Sequence, residues 1–414
     1  MMIRWLTIAL ATISASAFAA PPLHPPGLLP TAIARPLLEQ DPAVAAARAG
    51  LEVALQEANA LDSSPHEWTA RSSGQRRRVD SGPSYQEWNV GIERSIRLPG
   101  KAAADRNLGK ATVAQSQAHY GEALHESARE LMALWVDWLA TERGRELAEA
   151  SLQSTQDSLS AVGKRVRAGD ASKLDLSIAR AELAEQRRLD NDAKTQASAA
   201  WLRLSTRFPG ISQQITALPM PLPLEQTPAF WRERILAESD ELKVVQAQMQ
   251  RAQASAERAR ADRIPDPTLG VFTASEIGGR ERISGISVSI PLPGGARKAR
   301  SAKALAAVEV SRQDVELRKR QLESGIASAI ATTQGAFISL QIASEGVAAM
   351  QDNASLVQRA YTLGEAELQA LLLARRQATT AINNALQAQI AALKGYYGLL
   401  IDAHMVWDLE HDDD

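Results

Sequence analysis

Alternating apolar and polar positions mark two stretches of the chain as strands, and both run into the same dipeptide. Trp88, Val90 and Ile92 alternate with polar residues toward Ile96; SIRLPGK (Ser95 to Lys101) then gives way to AAADRNLGKATVAQSQ, whose pattern is helical. SIPLPGG, Ser289 to Gly295, makes the same passage again. Downstream of it a 3.5-residue period runs through Leu305, Val308, Val315, Leu322, Ile326, Ala329, Ala336, Leu340, Ala343, Val347, Met350, Ala354, Val357 and Tyr361. Arg312, Lys319 and Thr333 interrupt it. So long a repeat predicts supercoiled helix packing. A weaker version follows the first passage through Leu124, Leu131, Trp135, Trp138, Leu152, Leu159, Val162 and Val166. Gly325 to Ser344 carries no charge, but small and polar residues fill it rather than Leu, so it predicts close helix packing and not a lipid-facing span.

The pattern is written twice. An acidic start with an Ala-rich helix from Asp41 matches one from Asp240, the strand-to-helix passages match, a long helix follows each, and VRAGDASKLDLSIAR (Val166–Arg180) matches YTLGEAELQALLLAR (Tyr361–Arg375). Each copy reads helix, hairpin, very long helix, Gly turn, helix. About 65 residues lie between passage and Gly turn, roughly 100 Å as unbroken helix. The predicted divisions are a signal peptide at 1–19, a first repeat at 20–208, a Pro-rich linker at 209–228, a second repeat at 229–405 and an acidic tail at 406–414.

The predicted hairpins span Trp68 to Ile96, with the tip GQRRRVDSGPS, and Thr268 to Ile290, with the tip SEIGGRER. Each strand has the length of a tilted outer-membrane strand, about 9–11 residues. Four strands cannot close a barrel and open edges are not tolerated in lipid, so several copies must share one barrel.

Composition fits this picture. Arg4, the apolar run Trp5–Ile13 and Ala17-Phe18-Ala19 have the form of a secretory signal cut after Ala19. The chain has no Cys, which excludes disulfides and thiolate metal sites. With 46 basic against 48 acidic residues, nothing favours nucleic acid. No catalytic, cofactor or metal residues are expected: the six His are scattered, and His125-Glu126 lacks a second His at metalloprotease spacing. His119 and His125 do not share a helix face. EHDDD, Glu410–Asp414, is expected to be a solvated acidic end.

The duplicated layout, the two PG passages and the two Gly turns together resemble the TolC-like outer-membrane efflux proteins. IERSIRLPGKAAADR and ISVSIPLPGGARKAR look most like the CzcC-like heavy-metal cation branch. The resemblance implies a mainly α fold with a small β part: a homotrimer whose four strands per chain build a 12-stranded outer-membrane barrel, continued into the periplasm by a tunnel of long helices. It implies that Pro99, Gly100, Pro293 and Gly294 turn barrel strands into tunnel helices. Gly169, Asp170, Ala171, Ser172, Gly364, Glu365, Ala366 and Glu367 would be tips that dock a periplasmic adaptor, itself serving an inner-membrane pump, expected to be proton-driven. Asp175, Tyr361, Ala370, Leu371, Leu372 and Leu373 would line a periplasmic gate. An acidic gate ring is incomplete here, because Ala370 and Leu373 stand where some relatives carry acidic residues. The alternatives are a type I protein-secretion channel on the same fold, or a periplasmic coiled-coil scaffold without a barrel.

Overall fold

The computed structural model describes residues 25–213 and 217–409. The signal peptide and Glu410–Asp414 lie outside the described residues. The first half comprises α1 (Thr31–Glu39), α2 (Pro42–Asp62), β1 (Thr69–Arg78), β2 (Ser84–Ser95), α3 (Pro99–Ala168) and α4 (Lys173–Arg207). The second repeats it as α5 (Pro228–Glu238), α6 (Asp240–Ala261), β3 (Thr268–Glu276), β4 (Glu281–Ser289), α7 (Gly295–Leu363) and α8 (Leu368–Asp402). Helices α3 and α7 have 70 and 69 residues, each about 105 Å long.

Local chemistry sets the ends of these elements. Asp41 caps α2 by accepting from the Ala43 N–H at 2.8 Å, with Pro42 at the first helical position, where its missing donor costs nothing. Thr227 and Pro228 start α5 in the same way, accepting from the Phe230 N–H at 3.2 Å. The short helices α1 and α5 were not expected from the pattern. α5 begins on the last residue of what the sequence suggested was linker.

The 3.5-residue seam of α7 packs as predicted. Ile326 and Leu340 are buried and most of the other seam positions are half-buried, while Leu305 and Met350 are exposed. Thr333 does not interrupt the seam: it is buried, its hydroxyl donating to the Ala329 carbonyl at 2.7 Å. Arg312 and Lys319 face outward. Much of the uncharged stretch from Gly325 is exposed in the single chain, Ile338 and Ile342 included.

The strands form one antiparallel sheet in the order β1-β2-β3-β4. β2 pairs with β3 from Ser95↔Thr268 to Trp88↔Ser275, so the halves meet in the sheet centre. Trp88, Val90, Ile92, Leu269, Val271, Ile286 and Val288 share one face by register and are all exposed. The opposite face carries Arg71, Gln75, Arg77, Glu87 and Glu93, tied by Arg77–Glu87 at 3.0 Å and Gln75–Glu87 at 2.8 Å. The first hairpin tip is shorter than the charge run suggested. Arg76, Arg77 and Arg78 lie within β1, opposite Gln86, Tyr85 and Ser84, and the turn is confined to residues 79–83.

The main core sits where the middle of α3 meets the ends of the chain. Trp135, Trp407 and Tyr397 donate to the carbonyls of Gly27, Leu29 and Pro26. Val406, Trp407 and Leu409 are about 1% exposed. The stretch expected to open an acidic tail at 406 is therefore core, because its apolar side chains close over the N-terminal segment.

Candidate functional site

At the end of the helices far from the sheet, the chain reverses twice through the same geometry. Gly169 (φ 86°) and Gly364 (φ 81°) occupy the left-handed region that disfavours a Cβ. The Gly169 N–H donates to Val166 and the Asp170 N–H to Arg165; Gly364 and Glu365 donate to Tyr361 and Ala360 in the same way. Both ends are thus Schellman caps.

Asp170 and Glu365 lie three positions before the first residues of the return helices, and the caps are Ser172 and Glu367. Asp175 is committed to a capping box: it accepts from the Ser172 N–H at 3.0 Å, while the Asp175 N–H donates to Ser172 Oγ at 3.0 Å. Ala171 and Ala366 are half-buried, and the other tip residues are exposed.

The gate candidates divide. Leu371 and Leu372 are 0% and 7% exposed and pack with Val162, Ala179 and Leu368 in a core that joins the two tips. This corrects their assignment as a constriction, since a side chain locked inside its own protomer has no surface to present to a duct. Ala370 is exposed, Leu373 is 57% exposed, and half-buried Tyr361 lies under the Arg165 guanidinium at 5.0 Å. A cleft of about 830 Å³ runs between the tips, lined by Asp157, Arg165, Gln358, Tyr361 and Arg375 among others. Burial draws the Arg375 guanidinium below its ordinary value, and its bonded partner is the neutral amide of Gln358 at 2.6 Å.

At the sheet end, Pro99 is the first residue of α3 and Leu98 its extended cap. The Leu98 N–H donates to Asp266 at 3.2 Å, Lys101 reaches Asp266 at 3.0 Å, and Arg97 donates to the Leu61 carbonyl at 2.7 Å. Pro99, not Gly100, makes the passage, because fixed φ suits a helix start. Gly100 lies inside α3 and Gly294 is extended (φ −110°), so neither occupies the left-handed region. In the second passage Pro293 precedes the extended cap Gly294, and Leu292 stands 92% exposed.

A sheet with an apolar outside, a polar inside and two open edges, carried on helices of about 105 Å, defines one share of a duct through an outer membrane. The chain belongs to the outer membrane efflux protein family, whose profile matches residues 34–207 and 231–397, one stretch in each half. Among solved structures it is similar to CusC (17% identity, TM-score 0.73, covering 91% of this chain and 93% of that one). It is similar also to VceC of Vibrio cholerae (15%, 0.72, 90% and 95%) and to MtrE of Neisseria gonorrhoeae in its open state (19%, 0.67, 93% and 90%). A search of curated proteins found no match. The protein is an outer-membrane channel subunit with a periplasmic helical extension, a passive conduit and not an enzyme. Its four strands are its contribution to a trimeric barrel. Family members work with a periplasmic adaptor and an inner-membrane pump.

Proposed function

We propose that this channel carries heavy-metal cations out of the periplasm, docks its adaptor on the two Gly-turn tips and works with a proton-driven pump. The observation that supports docking is the pair of matched Schellman tips, which in a trimer present six reversals on one ring. The cleft between them holds Arg375, whose guanidinium is bonded to the neutral Gln358 amide and, among the described residues, to no carboxylate, and which offers donors to a partner's acidic or carbonyl groups. The cargo assignment rests on the PG-passage resemblance to the heavy-metal branch. Leu373 and Ala370 are the gate residues consistent with their exposure.

Nothing lies within 4 Å of a Cβ added at Gly169 or Gly364, so the Cβ of Gly169→Trp or Gly364→Trp meets no neighbour within the chain, and positive φ costs on the order of 1 kcal/mol. Both variants are expected to insert and trimerise normally while losing adaptor crosslinking and resistance to heavy-metal cations. Gln313→Trp on the exposed face of α7 is the control. Retained crosslinking in both Gly variants overturns the docking assignment; retained crosslinking to the adaptor without any effect of gene deletion on metal tolerance overturns the cargo assignment.

A further inference from the structure

The two halves close the same junction, where the start of one helix meets the end of another, with different chemistry. In the first half Asp41, at the start of α2, is fully satisfied: Arg207 at the end of α4 lies at 2.6 Å, and Ser127 of α3 and the Ala43 N–H donate to it. In the second half the matching residue is Asp240, at the start of α6. Its Oδ1 is held by Lys243 at 3.2 Å, and its Oδ2 faces His404, just past the end of α8, with His125 of α3 alongside.

This second junction is short of hydrogen bonds. The side chains of His125, Asp240 and His404 are 7%, 1% and 2% exposed. Yet among the described residues His125 Nε2 and both ring nitrogens of His404 make no hydrogen bond. His404 Nε2 is 3.1 Å from Asp240 Oδ2 without the alignment of a hydrogen bond. Buried polar atoms without partners are costly and call for an explanation. One ligand atom from each residue lies within 4.8 Å of the others; two ligands of a tetrahedral ion at ~2.1 Å stand roughly 3.4 Å apart. To bind, the widest separation in the cluster must close by up to about 1.4 Å.

The backbone is unusual at the same point. The His404 N–H donates to Ile401 and the Met405 N–H to Leu400, a third Schellman cap. Here His, at φ 51°, occupies the position that the tips give to Gly.

We propose that His125, Asp240 and His404 form a divalent transition-metal site of the zinc class, which ties α3 to the start of α6 and to the chain following α8. Two imidazoles and one carboxylate suit Zn²⁺, Cu²⁺ or Ni²⁺, whereas Mg²⁺ and Ca²⁺ require more oxygen ligands. Asp402, bonded by Arg129 at 2.7 Å, adds a carboxylate 3.5 Å from His125 Nε2. This site is separate from the duct's cargo and does not depend on that reading.

The test uses the full-length trimer in detergent, purified without a polyhistidine tag, stripped with EDTA, exposed to Zn²⁺ alone, desalted and assayed for bound metal. One zinc per protomer is expected, undisturbed by excess Mg²⁺, together with a raised unfolding temperature. His404→Gly removes a ligand while placing the preferred residue in the left-handed cap, so the fold is retained and zinc affinity falls at least ~10-fold. His125→Gln is the independent second variant, and His119→Gln, exposed on the same helix, should bind as the parent does. A parent trimer that retains no zinc, or variants at 125 and 404 that bind as the parent does, overturns the site and leaves a buried histidine–aspartate pair only.

Discussion

Single residues carry opposite loads at neighbouring positions. Leu371 and Leu373 are both leucines of one helix turn, yet only the first lies in the core between the tips. Leu371→Ala should destabilise the periplasmic end by about 2–5 kcal/mol, detected as faster proteolysis near the tips. Leu373→Ala should stay within about 0.5 kcal/mol while altering single-channel conductance. Asp41 makes a pH prediction. Burial alone would push its carboxyl up, but the bonds from Arg207, Ser127 and the Ala43 N–H outweigh burial and hold it below the ordinary value of 3.8. A depressed carboxylate contributes stability fully present above its unfolded pKa and lost as pH falls through the folded one. Asp41→Asn should therefore lower the unfolding free energy of the detergent-solubilised protein near neutral pH by about 2 kcal/mol, with the gap to the parent closing only below pH 3.8.

At the scale of elements, periodic features were readable and paired ones were not. The α7 seam announces itself because its positions, Arg312, Lys319 and Thr333 included, fall alternately three and four apart. The Gly turns announce themselves because left-handed caps select Gly. Arg76–Arg78 misled, since a charged run at the rim of a barrel looks like a solvated loop until register pairs it with Gln86, Tyr85 and Ser84. Asp175 carries a second role legible in the spacing: Ser172-x-x-Asp175 is a capping box, and the cap holds Asp175 Oδ2. The His125–Asp240–His404 cluster has no local signal, because its members come from three elements far apart in the chain. The shortened turn relocates the outermost point of the first hairpin to residues 79–83. In a chain without cysteine, Ser81→Cys should react with a membrane-impermeant maleimide on intact cells. Gln75→Cys, facing Glu87 on the inner face, should react more slowly. Labelling of Ser81→Cys only after the outer membrane is breached would contradict the outward orientation.

At the scale of the whole molecule, β1 and β4 each leave an edge unpaired, and the apolar face of α7 lies open near Ile338 and Ile342. In the trimeric barrel neighbouring subunits pair with the strand edges. Cysteines scanned along β1 near Ser73 and along β4 near Ser287 should form disulfides between chains but not within one, since two strands separate them. The order of that sheet also governs when the molecule can be made. Its central ladder joins Ser95 to Thr268, so no sheet of four strands exists until the second half has been synthesised, and contacts this distant in sequence form slowly. Until then each hairpin travels with one lipid-seeking face and unpaired edges, a state prone to aggregate. The four-stranded sheet is therefore a late product of export, and until its central ladder forms the apolar faces of both hairpins need cover from water.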